Sequence, residues 1–294
     1  MATVSFLVHP ERPDALALTL DTAEWLASRG DTARILHFSA PNRVTEGEVE
    51  VDLADVDLAG STVAVSMGGD GTFLRVVRLA WSVDVPVLGV NFGRVGYLPD
   101  LSPDQVRVAL ARVFAGEAVI EARCALEVSI DDRSIGDDSS DADPLMELAL
   151  NEVVLEKIDF GHTVRLSTAI DGENVLTYSA DGVLIATPTG STAYNLSAGG
   201  PILAPSLRAM VITPVAPHLS LDRSLVLTED QEVTVTVAPD RAAVLVIDGQ
   251  EIGRLEPGGT VSCRVATRPV RVVRNDPQGF GGMLRVRLLV DRER

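Results

Sequence analysis

Apolar positions in the first hundred residues form two kinds of run, short continuous stretches and longer stretches with helical spacing. A continuous apolar stretch bounded by turn residues is typical of a buried strand, whereas apolar residues three and four apart are typical of a helix. The pattern predicts strands at Thr3–His9, Thr32–Phe38, Thr62–Ser66 and Val85–Val90, and helices at Pro13–Ser28, at Phe73–Trp81 and starting at Ser102. Strands separated by helices predict a parallel sheet.

The pattern changes after about Gly116, where Val, Thr and Ile alternate with polar residues over short stretches. Alternation with a period of two is typical of half-buried strands, and the Asp-Gly pairs at Asp171 and Asp248 are typical of hairpin turns. The predicted strands are Ala125–Ile130, Thr163–Ile170, Glu232–Val237, Val244–Ile247 and Thr260–Val265. The acidic stretch Asp131–Pro144 is predicted to be a loop.

These two patterns predict an α/β N-terminal domain with a Rossmann-like parallel sheet, followed by a mostly β C-terminal domain. We place the first domain at residues 1–116 and the second at residues 117–274. The apolar stretch Leu284–Val290 allows residues 275–294 to complete the first domain, and the sequence leaves that point open. A chain of 294 residues is long enough for two domains.

The net charge argues against two classes of partner, and the spacing of the cysteines argues against a metal site. Asp and Glu number 42 against 25 Lys and Arg, so the net charge of −17 repels nucleic acid and anionic membranes, and we expect neither as a partner. Cys124 and Cys263 lack the spacing of a metal site. With no leader pattern and no apolar run of membrane-spanning length, we predict a cytoplasmic protein. Lys157 is the single lysine.

The segment Gly68–Thr72, with the sequence GGDGT, is the first candidate site. It lies between a predicted strand and a predicted helix. Glycines at such a turn let backbone amides approach a phosphate closely, and the helix N-terminus adds a partial positive charge. The carboxylate of Asp70 is costly in that position unless it holds a metal or accepts a proton, which points to phosphoryl transfer to a hydroxyl. Arg75, one helical turn later, is a candidate phosphate ligand; an ordinary tight turn and a solvated arginine are the alternatives.

Two further polar clusters lie in the second domain. Asn151-Glu152 interrupts an apolar run, and both side chains can hydrogen-bond a ribose diol or an amide, although a strand end facing water is the alternative. Asp181 precedes the segment Thr187–Pro201. Five hydroxyl side chains fall within Thr187–Tyr194, at a turn that begins a helix at Ser191 or Thr192, and could face a polar ligand. Tyr194 could stack on a base, and a linker-like or glycosylation-like turn is the alternative. His162 and Gln250 are isolated, and sequence pattern alone favours no function for either.

Taken in order, these segments resemble the NAD kinase family. The resemblance rests on GGDGTFLR at 68–75, LGVNFGRVGYL at 88–98, LNE at 150–152, DG at 181–182 and TPTGSTAYNLSAGGP at 187–201. GGDGT is shared with diacylglycerol and sphingosine kinases and loosely with phosphofructokinases, whereas the last segment is far more specific. The one departure is Tyr97, where the family pattern has Phe.

The resemblance implies transfer of the terminal phosphate of ATP, or of polyphosphate, to the 2′-hydroxyl of the adenosine ribose of NAD. It implies Mg²⁺ or another divalent cation held mainly through the triphosphate, an active site between the two domains, and a homodimer or homotetramer. Asp70 would be the catalytic base. The implied NAD and ATP contacts are Asp70, Gly71, Arg75, Asn151, Glu152, His162, Asp181, Thr192, Ala193, Tyr194, Asn195, Leu196, Ser197 and Gln250.

Two other functions remain open at this point. A lipid or sugar kinase could use the same GGDGT turn, although Thr187–Pro201 argues against it. A non-catalytic dinucleotide sensor could keep the fold without turnover, although Asp70 and the Asn151-Glu152 pair argue against lost catalysis.

Overall fold

The fold is taken from a computed structural model, which describes residues 1–40, 43–47, 49–93, 98–131, 144–218, 220–274, 280–282 and 284. The chain forms two compact units, Met1–Ala122 with Val270–Arg294, and Arg123–Pro269. Most of the predicted acidic loop, residues 94–97 of the second family motif, and most of 275–294 lie outside the described residues.

The first unit alternates strands and helices along the chain, as the apolar pattern predicts. Its strands are β1 (Thr3–Val8), β2 (Thr32–Ala40), β3 (Arg43–Glu46), β4 (Val49–Asp52), β5 (Val63–Gly68), β6 (Val87–Asn91) and β7 (Val119–Arg123). Its helices are α1 (Pro13–Ser28), α2 (Asp70–Ser82) and α3 (Val106–Ala115), with 3-10 turns at Leu53–Asp55 and Pro103–Gln105.

The second unit consists mainly of strands, as predicted. These are β8 (Leu126–Asp131), β9 (Leu145–Ala149), β10 (Glu152–Lys157), β11 (Val164–Ile170), β12 (Glu173–Ala180), β13 (Gly182–Ala186), β14 (Ala209–Val215), β15 (Leu225–Thr228), β16 (Glu232–Val237), β17 (Ala243–Ile247), β18 (Gln250–Leu255) and β19 (Thr260–Val265). A 3-10 turn at Gly190–Thr192 and the short helix α4 (Tyr194–Ser197) interrupt them.

The chain then returns to the first unit as β20 (Val270–Arg274), which completes a sheet with the order β4-β3-β2-β1-β5-β6-β20-β7. The pairs β1–β2, β1–β5, β5–β6 and β6–β20 are parallel, whereas β2, β3 and β4 pair antiparallel. The predicted parallel sheet is therefore confirmed, and an unpredicted antiparallel hairpin extends it. Chain order reverses between β1 and β5, and open α/β sheets bind ligands at the carboxyl ends of strands at such a point.

Two helix boundaries differ from the sequence expectation. Helix α2 begins at Asp70 rather than Phe73, because Gly69 is extended and Asp70–Thr72 already adopt helical geometry. The predicted helix start at Ser102 is a 3-10 turn that continues into α3, and the Ser102 hydroxyl donates to Gln105 Oε1 at 2.9 Å instead of capping a backbone amide. Gly30 follows α1 with φ of 78°, the left-handed geometry that a helix end requires.

The twelve strands of the second unit form two six-stranded sheets, β15-β14-β13-β10-β17-β18 and β12-β11-β16-β19-β8-β9. Side chains from both sheets form one apolar core, so the unit is a β-sandwich. Strand β13 is buried along its whole length, because Leu184 and Ala186 pack on the outer side against Val154 and Ala198. The two predicted Asp-Gly turns join β11 to β12 and β17 to β18, with positive φ at both residues of each.

Candidate functional site

The GGDGT turn lies at the carboxyl end of β5, beside the point where the strand order reverses. Asp70 is the first residue of α2, so its carboxylate lies next to the positive end of the helix dipole. The Leu98 backbone N–H donates to Asp70 Oδ1 at 3.2 Å. The Phe92 backbone N–H donates to Gly68 O at 3.0 Å, which links the end of β6 to the same turn.

The glycines of this turn serve two different purposes. A side chain at Gly68 would collide with Thr72, so packing within the turn requires glycine there. At Gly69 and Gly71, by contrast, an added Cβ would meet no described atom within 4 Å. Folding therefore does not require these two glycines, and their missing side chains leave room for a ligand to approach the backbone.

Arg75 projects from α2 with its guanidinium carbon 5.2 Å from the centre of the Phe38 ring. Burial lowers the pKa of Arg75, and the nearby charge of Arg78 lowers it further. No carboxylate among the described residues contributes to that balance. A half-buried cation in this position would gain from binding an anion.

In the second unit, Asp248 organises the segment that contains Asn151 and Glu152. Its carboxylate accepts hydrogen bonds from three consecutive backbone N–H groups: Leu150 to Oδ2 at 2.8 Å, and Asn151 and Glu152 to Oδ1 at 2.7 and 3.1 Å. The Asp248 backbone N–H in turn donates to Glu152 O at 3.0 Å. One carboxylate thus fixes the backbone of the whole pair.

The segment after β13 packs directly on the same backbone. Thr187 N–H donates to Asn151 O at 2.8 Å, and the Thr187 hydroxyl donates to Leu150 O at 2.5 Å. A Cβ added at Gly190 would lie 2.7 Å from the Cα of Asn151 and closer still to the Asn151 carbonyl group, so it would overlap that backbone. Only glycine allows this approach, which explains the Gly in the TPTGST sequence.

Glu152 is 7% exposed, and its Oε2 has no hydrogen-bond partner among the described residues. Burial raises the pKa of Glu152 to about 8, and the negative charge of Asp248 contributes to the rise. The Tyr194 backbone N–H acts in the opposite direction by hydrogen bonding to the Glu152 carboxyl. A ligand with hydroxyl donors would satisfy the buried oxygen, as a ribose could.

Tyr194 is surrounded by acidic side chains. Its hydroxyl donates to Glu156 Oε1 at 2.8 Å. Burial raises the pKa of Tyr194 to about 12, with the hydrogen bond and charge of Glu156 and the charges of Asp181 and Glu152 adding to the effect. Asp181 is paired with Lys157, whose Nζ lies 2.7 Å from Oδ1.

Several polar groups that the sequence presented as possible ligand contacts bond within the protein instead. The hydroxyls of Thr187 and Ser191 donate to the carbonyls of Leu150 and Pro188, so they hold the turn and are not directed to solvent. The Asn195 side chain is fully buried: its Nδ2 donates to Ser191 O and Pro201 O, both at 3.0 Å, and its Oδ1 accepts from Thr213. The side chain of Asn195 therefore acts on the shape of the segment.

The structure brings most of the predicted second-unit residues together around β10. Asn151, Glu152, Asp181 and Tyr194 are joined by the contacts above, and Gln250 begins β18 two residues after Asp248. His162 is exposed in the connection between β10 and β11.

Four residues that shape this cluster were not among the predicted site residues: Asp248, Glu156, Lys157 and Gly190. The Asp-Gly turn signal placed Asp248 in a hairpin, but its bonds reach residues 96 to 98 positions away. No local pattern reveals a contact over that distance.

The described residues contain neither a cluster of metal-ligating side chains nor a membrane-spanning helix. No group of three or more His, Cys, Asp or Glu side chains is arranged to hold a metal ion. None of the helices in the described part of the chain is long and apolar enough to span a bilayer.

Comparison with known proteins adds family information to this geometry. A family model described as the ATP-NAD kinase N-terminal domain matches residues 4–118, and one described as the ATP-NAD kinase C-terminal domain matches residues 150–275. An NAD kinase of Heliobacterium modesticaldum is 36% identical, over 98% of this chain and 99% of that protein. An NAD kinase of Gemmatimonas aurantiaca is 42% identical over 76% of each chain.

Solved structures support the fold. A yeast NADH kinase, crystallised with NADH, superposes with a TM-score of 0.80 at 22% identity, over 97% of this chain and 86% of that one. An NAD kinase from Archaeoglobus fulgidus, crystallised with ATP, superposes with a TM-score of 0.69 at 23% identity, over 96% of this chain and 98% of that one.

Proposed function

This chain belongs to the NAD kinase family, and we propose that it transfers the terminal phosphate of ATP, or of polyphosphate, to the adenosine ribose 2′-hydroxyl of NAD. The observation that carries the proposal is the position of Asp70. Its carboxylate stands at the start of α2, at the carboxyl end of β5, between two glycines that leave space above the turn. An acid in a phosphate-binding turn has a clear use if it accepts the proton of the attacking hydroxyl.

Asp70 acts as the catalytic base in this proposal. The N–H of Leu98 orients its carboxylate. The hydroxyl proton passes to Asp70 as the new phosphorus–oxygen bond forms and the bond from the terminal phosphorus to the leaving ADP, or to the rest of the polyphosphate, breaks. Help of this kind is typically worth ~10²–10⁴-fold in rate. Positioning of the two substrates and stabilisation of charge supply most of the remainder, because the transition states of phosphoryl transfer are loose.

Phosphate binding falls to the same turn. Backbone amides of Gly69–Thr72 and the N-terminus of α2 attract the triphosphate, with Gly71 as a direct contact. Arg75, a half-buried cation with no acidic partner among the described residues, binds phosphate. Mg²⁺ or another divalent cation is held mainly through the triphosphate, and the Asp70 carboxylate is the type of oxygen ligand that Mg²⁺ takes. When bound, the cation neutralises phosphate charge.

The cluster around β10 binds NAD. The buried Glu152 oxygen accepts a hydrogen bond from a ribose hydroxyl, and Asn151 beside it supplies both a donor and an acceptor. Asp181 contributes an acceptor, and the ring of Tyr194, which is 36% exposed, contributes a stacking surface. Further contacts come from Gln250 and from Thr192, Ala193, Leu196 and Ser197, in the segment whose shape the buried Asn195 side chain holds.

We extend the proposal to assembly and location. The chain forms a homodimer or homotetramer, in which His162 lies near a dinucleotide. Ile158 and Phe160, in the same connection, are 37% and 97% exposed, and a subunit interface would cover both. Light scattering on purified protein tests the assembly.

The two cysteines are free and buried, which supports a location in the reducing cytoplasm.

The deciding experiment supplies purified protein with ATP, Mg²⁺ and NAD, and measures NADP. Parallel reactions replace NAD with diacylglycerol, fructose phosphate or NADH, and ATP with polyphosphate. We expect NADP from NAD and no product from the lipid or sugar. Product from the lipid or sugar alone, or tight NAD binding without NADP, would contradict the proposal.

The role of Asp70 has its own test in the Asp70→Asn variant, which keeps the shape of the side chain. We expect it to bind NAD as the wild type does, by calorimetry, and to lose turnover by about 10²-fold or more. Turnover close to that of the wild type would refute the assignment of Asp70 as the base, and lost NAD binding would indicate a structural or metal-binding role.

A further inference from the structure

Lys157, the single lysine of the chain, is bonded to Asp181 through both its backbone and its side chain. Its N–H donates to Asp181 O at 2.8 Å, and its Nζ donates to Asp181 Oδ1 at 2.7 Å. The Asp181 N–H donates to Val215 O at 2.9 Å. The Asp181 backbone is therefore fixed between β10 and β14, and Lys157 sets the direction of its carboxylate.

The charges around this pair explain why a cation is needed there. Glu156 and Asp181 contribute negative potential at the Tyr194 hydroxyl, and Glu152 adds to it once its own carboxyl ionises, above about pH 8. Like charges at short range repel one another, and an aspartate with no bound counter-charge would turn towards water. The ammonium of Lys157 offsets one of these charges and opposes that rotation.

We propose that Lys157 is a positioning residue for the dinucleotide. It holds Asp181 through Oδ1 in the rotamer that binds NAD. Asp181 Oδ2 makes no hydrogen bond to the described residues, so it can accept one from the ligand. This inference rests on the NAD-binding role proposed above for Asp181. Lys157 itself acts through Asp181.

Positioning and stability can be separated at this pair. The Lys157 and Asp181 side chains are 26% and 36% exposed, and ion pairs of that kind add little to folding stability. Lys157→Met keeps most of the side-chain length and removes the charge. We therefore expect its melting temperature to stay close to that of the wild type while NAD binding weakens.

The test compares Lys157→Met, Lys157→Arg, Asp181→Asn and the double variant Lys157→Met/Asp181→Asn. We expect Lys157→Met to raise KM for NAD about tenfold, with KM for ATP and kcat within about twofold of the wild type. Lys157→Arg restores the charge and most of the affinity. In the Asp181→Asn background, Lys157→Met should change KM for NAD by less than about twofold, because its target is already lost.

Arg264→Gln is the matched control. It breaks a pair of similar length, Arg264 Nη2 to Glu127 Oε2 at 2.8 Å, on strands of the other sheet of the sandwich. We expect unchanged KM for NAD in this variant. An equal effect of Arg264→Gln and Lys157→Met, an equal effect of Lys157→Met in both backgrounds, or an unchanged KM for NAD in Lys157→Met would overturn the inference.

Calorimetric titration with NAD separates this inference from the proposed reaction. A wild type that binds NAD but makes no NADP contradicts the kinase assignment; loss of NAD affinity in Lys157→Met would still support the role of Lys157. A wild type that binds no NAD overturns both.

The isolated lysine offers a second readout. After reductive methylation with ¹³C-formaldehyde, Lys157 and the N-terminus carry the labelled amines, and we expect NAD to shift the Lys157 signal. A signal unmoved at saturating NAD counts against the inference.

Discussion

The buried Glu152 gives the protein a pH-dependent stability that one substitution should remove. Its pKa is about 8 in the folded protein, against an ordinary value of 4.5. Between those two values the unfolded chain has lost the Glu152 proton and the folded chain keeps it. The folded state therefore binds more protons, and the free energy of unfolding falls as pH rises through this window.

The size of the effect follows from the interval. Subtracting 4.5 from 8 gives about 3.5 pH units, and each unit is worth ~1.4 kcal/mol, so ionising Glu152 costs the fold up to about 5 kcal/mol at high pH. This is an upper bound, because the protein relaxes around a new charge. Glu152→Gln carries no titrating proton. We expect the variant to match the wild type near pH 5 and to exceed it by several kcal/mol above about pH 8.

Urea unfolding of the wild type and Glu152→Gln at pH values from about 5 to about 8.5 measures this difference. Far-UV circular dichroism is the appropriate signal, because Trp25 and Trp81 both belong to the first unit and their fluorescence does not follow the sandwich. The difference between the two curves isolates Glu152 from every other titrating group. Parallel curves would show that Glu152 ionises at its ordinary pKa in the folded protein, and the reasoning about its burial would be wrong.

Substitutions at three further positions separate stability from ligand binding. Asp248→Ala leaves three backbone N–H groups without their acceptor and should lower the free energy of unfolding by about 3 kcal/mol or more. Asp248→Asn should cost less and, by removing the like charge beside Glu152, should end the Glu152-dependent loss of stability at a lower pH in the same urea series. Gly190→Ala overlaps the Asn151 backbone and should cost about 2 kcal/mol in urea unfolding together with NAD affinity. Gly71→Ala meets nothing within 4 Å, so we expect unchanged stability and a raised KM for ATP, and a destabilised Gly71→Ala would contradict the open space above the turn.

The sequence predicted those parts of the fold that depend on local pattern. Continuous apolar runs gave β1, β2, β5 and β6 within a few residues, and alternation gave the β-rich second half. The hairpin β3–β4 was missed because Arg43–Asp52 is mostly polar and one of its faces is exposed. The start of α2 was placed three residues late, because nothing local shows that Gly71 is helical.

The candidate site was predictable as segments but not as contacts. GGDGT, Asn151-Glu152 and Thr187–Pro201 stand out by composition, whereas the bonds from Asp248 to Leu150 cross almost a hundred residues. Hydroxyl groups also gave a misleading signal: Thr187 bonds to backbone carbonyl groups in the finished fold. A sequence lists donors and acceptors, and only the folded chain determines which of them are already used.

The place of β20 has a consequence for how the protein is made. This strand is translated after the whole sandwich, yet it fills the gap between β6 and β7 in the first sheet. A nascent chain therefore cannot finish its first unit until Val270–Arg274 has emerged from the ribosome. A fragment that stops before Val270 would carry the GGDGT turn on an incomplete sheet. We therefore expect a prematurely terminated chain to be degraded by proteases and not to persist as a partly active kinase.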